Sequence, residues 1–140
     1  MEQSHVIRRK LTNLTEYLKE IGPLTNYTIN DYTGNYFIKR TGERLVQLIV
    51  ESMVDINSMI IAEEKQPPPK DYYVSFEIMA RLGYLPQQFA EELAPCTGMR
   101  NRIVHEYDKI EDDIVFATIP KLKEMATEYI RLINNSLGTE

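Results

Sequence analysis

The chain has 140 residues, 43% hydrophobic and 26% charged, with a formal net charge of −5. That size fits one domain, residues 1–140, around a single core. The acidic balance argues against coating nucleic acid by bulk electrostatics, while leaving room for a local basic site or a basic partner protein. The lone Cys96 rules out an intrachain disulfide and a cysteine-built zinc site, and it fits a reducing, cytoplasmic setting. Residues 1–10 lack the apolar stretch of a signal peptide, and no run is read as the roughly 20 apolar residues of a membrane span.

Ile7, Leu11, Leu14, Leu18 and Ile21 step by four and three, the pattern of one helix face, and Gly22-Pro23 ends it. His5 falls in an N-terminus read as frayed. Residues 24–35 are rich in Tyr and Asn, with Thr28 or Asn30 placed to cap a short helical turn. A long helix is predicted from about Tyr36 to Glu64. Its apolar stripe is Leu45, Ile49, Met53, Ile56 and Ile60, and Glu43, Gln47, Glu51 and Asp55 repeat on another face. Val46, Leu48, Val50 and Val54 widen the apolar sector, which predicts a central helix or a subunit interface.

Pro67-Pro68-Pro69 stiffens the linker 65–70. A short helix over 74–82 is stopped by Gly83, and Pro86 suits the start of the next. Phe89, Leu93, Cys96, Met99 and Ile103 give that helix its inner face. Pro95 and Gly98 predict a kink or restart just before Arg100. Val115, Ile119, Leu122, Ala126, Tyr129 and Ile133 mark a last helix from near Glu111 to near Asn135, kinked at Pro120. Period-two alternation is nowhere sustained. The fold class predicted is all-α, an antiparallel bundle of about five helices.

Chemistry concentrates in Arg100-Asn101-Arg102-Ile103-Val104-His105-Glu106-Tyr107. Histidine titrates near neutral pH and serves as general acid or base. Arg100 can fork onto phosphate oxygens and stabilise a phosphorane-like transition state. Asn101 shares a helical face with His105 and can orient it or bind an oxygen. Tyr107 can donate to phosphate or be modified. On an ideal helix Arg100 and His105 point about 140° apart, so they converge through distortion, through a reaching arginine, or through a second copy in a two-fold dimer. The wide apolar sector of the long helix offers dimer surface.

The same residues also admit a plainer reading, as surface polarity satisfied by neighbouring carboxylates. Arg102 and Glu106 read as solvated charges, and Arg102 can also touch phosphate. Asp108, Glu111, Asp112 and Asp113 suit the N-terminus of the last helix better than a metal. Two histidines make a histidine-rich metal site improbable. The tyrosines at 27, 32, 36, 72, 73 and 84 either stack on bases or pack at the edges of the bundle.

Arg100, four residues, His105, one residue, Tyr107 resembles the R-x4-H-x-Y motif of the HEPN superfamily, with Asn101 following the arginine as in that motif. Leu82 to Pro86, Phe89 to Leu93 and the proline linker resemble the HepT-like ribonuclease toxins over roughly residues 40 to 135. The resemblance implies a two-fold homodimer with both motifs in one cleft. It implies a metal-independent endoribonuclease, the toxin of a toxin–antitoxin pair, with RNA rather than DNA as substrate and no cofactor or membrane partner. Arg100 and His105 would be catalytic, with Asn101 and Arg102 supporting or binding RNA. An MNT-type nucleotidyltransferase antitoxin would silence the chain by AMPylation of Tyr107. The alternative is a non-catalytic HEPN module that binds nucleotide or a nucleotidyltransferase partner.

Overall fold

The computed structural model describes residues 3–106, 108 and 110–138, and these form helices with no strand among them. In chain order they are α1 (Ser4–Ile21), a 3-10 turn (Gly22–Asn26), α2 (Ile29–Thr33), α3 (Tyr36–Glu63), α4 (Tyr72–Arg81), α5 (Gln87–Leu93), α6 (Cys96–His105) and α7 (Asp112–Leu137). The five principal helices stand where the periodicities place them. Two finer features also stand as expected, the short α2 capped by Thr28 and the restart that separates α5 from α6. His5 belongs to the first turn of α1 rather than to a frayed end.

Capping explains several starts. Thr28 and Asp31 form a reciprocal capping box at α2, with bonds of 3.1 and 3.0 Å. Those bonds from Thr28 also hold the Asp31 carboxyl below its ordinary range. Asn35 accepts from the N–H groups of Phe37 and Ile38 at the start of α3, and Asp71 accepts from Val74 at the start of α4. Gly83 takes φ of +89° after α4, a conformation that favours glycine. The helix α7 runs unbroken through Pro120. That proline is exposed, so water can solvate the carbonyl its missing N–H leaves free.

The hub is α3, which packs against α1, α4, α6 and α7. Most of its apolar sector is consumed by the fold: Val46, Val50 and Val54 are buried with Ile49, Met53, Ile56 and Ile60. That removes these valines from the dimer surface expected of the sector, while Leu48 is only half-buried. The sequence expectation about membrane spans also needs correcting. Over an 18-residue window α3 has a mean hydropathy of 1.6, long and apolar enough by length and composition to cross a membrane, with 56% of that window buried in the fold. Gly42 lets α3 approach its neighbours closely, since a Cβ there would sit 2.9 Å from the ring of Tyr32 and 3.1 Å from Leu24.

A buried polar group ties α3 to α4 and α7. Tyr129 shares its one hydroxyl proton between Asn57 Oδ1 at 2.6 Å and the Met53 carbonyl at 3.1 Å. Asn57 in turn donates to Ser75 at 3.0 Å, and Ser75 donates to the Tyr72 carbonyl at 2.7 Å. Each polar atom in this group is paired, as burial demands.

Candidate active site

The motif helix starts cleanly. Pro95 takes helical angles at its head, and Thr97 and Gly98 donate back to the carbonyls of Ala94 and Pro95 at 3.0 Å. The restart anticipated from sequence therefore lies at Pro95, and Gly98 sits inside a continuous helix. The helix ends at His105, because Glu106 leaves helical space at φ −132° and ψ 43°. Arg102 lies in the last turn, where a cation complements the helix dipole.

Arg100 points inward onto α3 and is held on three sides. Its Nε donates to Glu51 Oε2 at 2.8 Å, and its terminal nitrogen lies 2.7 Å from the same oxygen. A second terminal nitrogen donates to Asn101 Oδ1 at 3.2 Å. The guanidinium also sits 4.7 Å from the centre of the Tyr72 ring, a cation–π stack. Gln47 donates to Glu51 from the preceding turn of α3 at 3.2 Å, which fixes the carboxylate itself. The Arg100 and Glu51 side chains are only 15% and 25% exposed, so water screens the pair incompletely. These contacts orient the guanidinium and leave it further N–H bonds for an incoming oxyanion.

His105 is exposed at the far end of the same helix. Its imidazole makes no hydrogen bond or ion pair among the described residues. No hydrogen bond joins it to Arg100 or Asn101 among the described residues. Asn101 serves Arg100 instead. Arg102 and Glu106 are exposed, as read from sequence. Tyr107, the residue expected to be modified, lies outside the described residues.

Part of the acidic run stands where expected. Asp112 and Asp113 occupy the first turn of α7, and Asp112 pairs with Lys39 at 3.4 Å. Among the tyrosines, Tyr32 is buried. Tyr84 donates to Glu64 at 2.7 Å, and burial with that carboxylate pushes its phenol up to about 12. Burial pushes the Cys96 thiol up to about 11, so it is protonated and unsuited to nucleophilic attack.

Sequence reasoning missed Glu51, Gln47 and Tyr72 as members of this site. The available signal was the repeat Glu43, Gln47, Glu51, Asp55 on a face of the long helix other than its apolar stripe. Three of those residues are in fact at least partly covered.

The model of the family described as ribonuclease HepT-like matches residues 14–133. A tRNA nuclease HepT of Aphanizomenon flos-aquae is 34% identical over 137 residues, covering 96% of this chain and 91% of that protein. An mRNA nuclease HepT of Shewanella oneidensis is 26% identical over 88 residues, covering 63% of this chain and 66% of that protein. In three dimensions, a tri-AMPylated HEPN toxin of Shewanella oneidensis, solved in complex with an MNT antitoxin, superposes with a TM-score of 0.84 at 21% identity. That superposition covers 93% of this chain and 97% of the toxin, and at such identity it speaks for the fold.

Proposed function

The chain belongs to the ribonuclease HepT-like family, and from that premise we propose that it is the toxin endoribonuclease of a toxin–antitoxin pair, cutting RNA without a metal at a cleft built from two copies of the Arg100–His105 helix. The observation that carries this reading is the seating of Arg100. Glu51, Tyr72 and Asn101 fix its guanidinium, while His105 stands open on the same helix. Arg100 is preorganised to meet a phosphate before any substrate arrives, which is the form in which electrostatic stabilisation is most effective.

The reaction is a transesterification. The RNA 2′-oxygen attacks phosphorus, the bond to the 5′-oxygen breaks, and a 2′,3′-cyclic phosphate and a 5′-hydroxyl result. One imidazole takes the 2′-hydroxyl proton and an imidazolium gives a proton to the departing 5′-oxygen. A two-fold dimer supplies both from its two copies of His105, which also removes the difficulty that Arg100 and His105 diverge by about 140° on one helix. Arg100 hydrogen-bonds the pentacoordinate centre. Because Glu51 balances its charge, Arg100 acts through direction more than through long-range attraction, and Arg102 adds the exposed cation. DNA, lacking the 2′-hydroxyl, is not cut.

The partner is a nucleotidyltransferase antitoxin of the MNT type, and the switch is AMP added to Tyr107, two residues after His105. Each added phosphate brings negative charge and bulk to the cleft and repels RNA. The test is digestion of RNA by the purified chain with and without a chelator, with end-group analysis for cyclic phosphate. Activity that survives Arg100→Ala and His105→Ala together would overturn the assignment. Intact-mass analysis after co-expression with the antitoxin reads the switch, with AMP-sized increments lost in Tyr107→Phe.

A further inference from the structure

Beside Arg100 lies a cavity that the cleavage chemistry leaves unused. It opens between α3 and the proline-rich linker, has a volume of about 450 Å³, and is walled in part by Val54, Ser58, Gln66, Pro69, Lys70 and Tyr72. A volume of that order is typical of small-molecule sites.

Three features suit it to a nucleotide. Tyr72 is shared, since its ring carries the Arg100 guanidinium at 4.7 Å and also lines the cavity. A group stacked along Tyr72 therefore adjoins whatever phosphate Arg100 binds. The outer wall is stiff, because Pro67 to Pro69 restrict the backbone and Asp71 pins the linker to α4 through the Val74 N–H at 2.8 Å. Three polar groups of the wall are available, whereas the Asp71 carboxylate, which also lines it, is engaged at the Val74 N–H. Ser58 and Lys70 make no side-chain hydrogen bond or ion pair with any described residue, and Gln66 makes only a long bond of 3.3 Å to the Glu64 carbonyl. An aromatic ring, a hydroxyl, an amide and an ammonium in one apolar-walled cavity match a base face, a base edge and a phosphate.

We propose that this cavity is a base-binding subsite for the RNA nucleotide next to the scissile phosphate, and that it sets the nucleotide preference there. Tyr72 stacks the base, Gln66 and Ser58 read its edge, and Lys70 holds the adjoining phosphate. The effect on cleavage rests on the ribonuclease reading, whereas nucleotide binding does not.

The experiment has two arms. AMP, GMP, CMP and UMP are titrated into the wild-type chain and followed by amide chemical shifts. The expected result is movement at Ser58, Gln66 and Lys70, lost in the cavity-filling variant Ser58→Trp. Wild type, Ser58→Trp and Gln66→Ala then digest an RNA of randomised sequence, and the ends are sequenced. Gln66→Ala should flatten the preference beside the cut by about three- to tenfold, the worth of one neutral hydrogen bond. Ser58→Trp should lower kcat/KM by about tenfold or more through lost stacking, and Gln66→Ala decides the matter if the larger substitution does not fold. If no nucleotide moves those amides and Gln66→Ala keeps the wild-type preference, the subsite is overturned while the ribonuclease reading stands. If nucleotides bind there and the wild type cuts no RNA, the ribonuclease reading fails and takes the cleavage preference with it, while the cavity stands as a nucleotide-binding site. If the antitoxin moves those amides and nucleotides do not, the surface is a protein-docking face and the proposal is overturned.

Discussion

Two polar groups hang from α3 six residues apart, one around Glu51 and one around Asn57. The Asn57 group, with Ser75 and Tyr129, is fully buried. Its hydrogen bonds close on one another and leave nothing to offer a ligand. The Glu51 group, with Arg100 and Tyr72, has similarly short contacts but keeps part of its surface in solvent and some donors free. Both groups are ordered by the same helix. The buried group locks α4 and α7 to the hub, whereas the half-covered one holds a cation ready. Satisfying every donor yields stability, and stopping short of that yields a binding site.

This contrast breaks most sharply at Arg100. Arg100→Ala should lower RNA cleavage by about 10²- to 10³-fold, the usual cost of removing one transition-state donor. Its urea midpoint should fall as well, because the substitution leaves the mostly covered Glu51 carboxylate without its cation. A large loss of stability with retained cleavage would reverse the roles of the two groups. A companion measurement tests the shared cleft. When wild type and His105→Ala exchange subunits, activity should fall more steeply than in proportion to the variant added, since a mixed cleft keeps only one of the two imidazoles that the reaction uses.

Tyr129→Phe is the mirror image and the next largest effect. It removes one hydroxyl and strands the Asn57 carbonyl oxygen in the core, which costs about 1–3 kcal/mol. Denaturant unfolding reads this as a lower midpoint at unchanged slope. Cleavage at a temperature well below the melt should match the wild type. Impaired cleavage in a folded Tyr129→Phe would mean that the two groups are coupled through α3 rather than separate.

How much of this could be read in the sequence depends on the range of each contact. The faces of α1, α3 and α7 are set by residues three and four apart, so Ile7 to Ile21 and Val115 to Ile133 announce their helices directly. Breaks at Gly22-Pro23, Gly83 and Pro95 are equally local. The grip on Arg100 is not, because it joins residues 49 apart in the chain, and helical spacing relates a residue only to its own helix. Glu51 consequently looked like one more charge on a polar stripe. The apolar width of α3 was legible, but its meaning was not. A valine at position 46, 50 or 54 looks the same in sequence whether its own fold or a second subunit covers it, and only the packed fold shows that the first is the case.

The smallest expected effect distinguishes two ways in which Glu51 can matter. Its carboxylate orients Arg100 and also cancels its charge. Glu51→Gln keeps the shape and one possible hydrogen bond but removes the negative charge. Phosphate binding should then improve, since the guanidinium is no longer balanced, while the loosened arginine meets the transition state less well. The expected result is kcat down by about tenfold, equivalent to about 1.4 kcal/mol of positioning, with KM lowered rather than raised. Steeper salt dependence of RNA binding should accompany it, because one more net cation faces the backbone. A higher KM with unchanged kcat would instead make Glu51 part of the RNA-binding surface. Unchanged kinetics would leave the pair as a packing contact and return the task of orienting Arg100 to Tyr72 and Asn101.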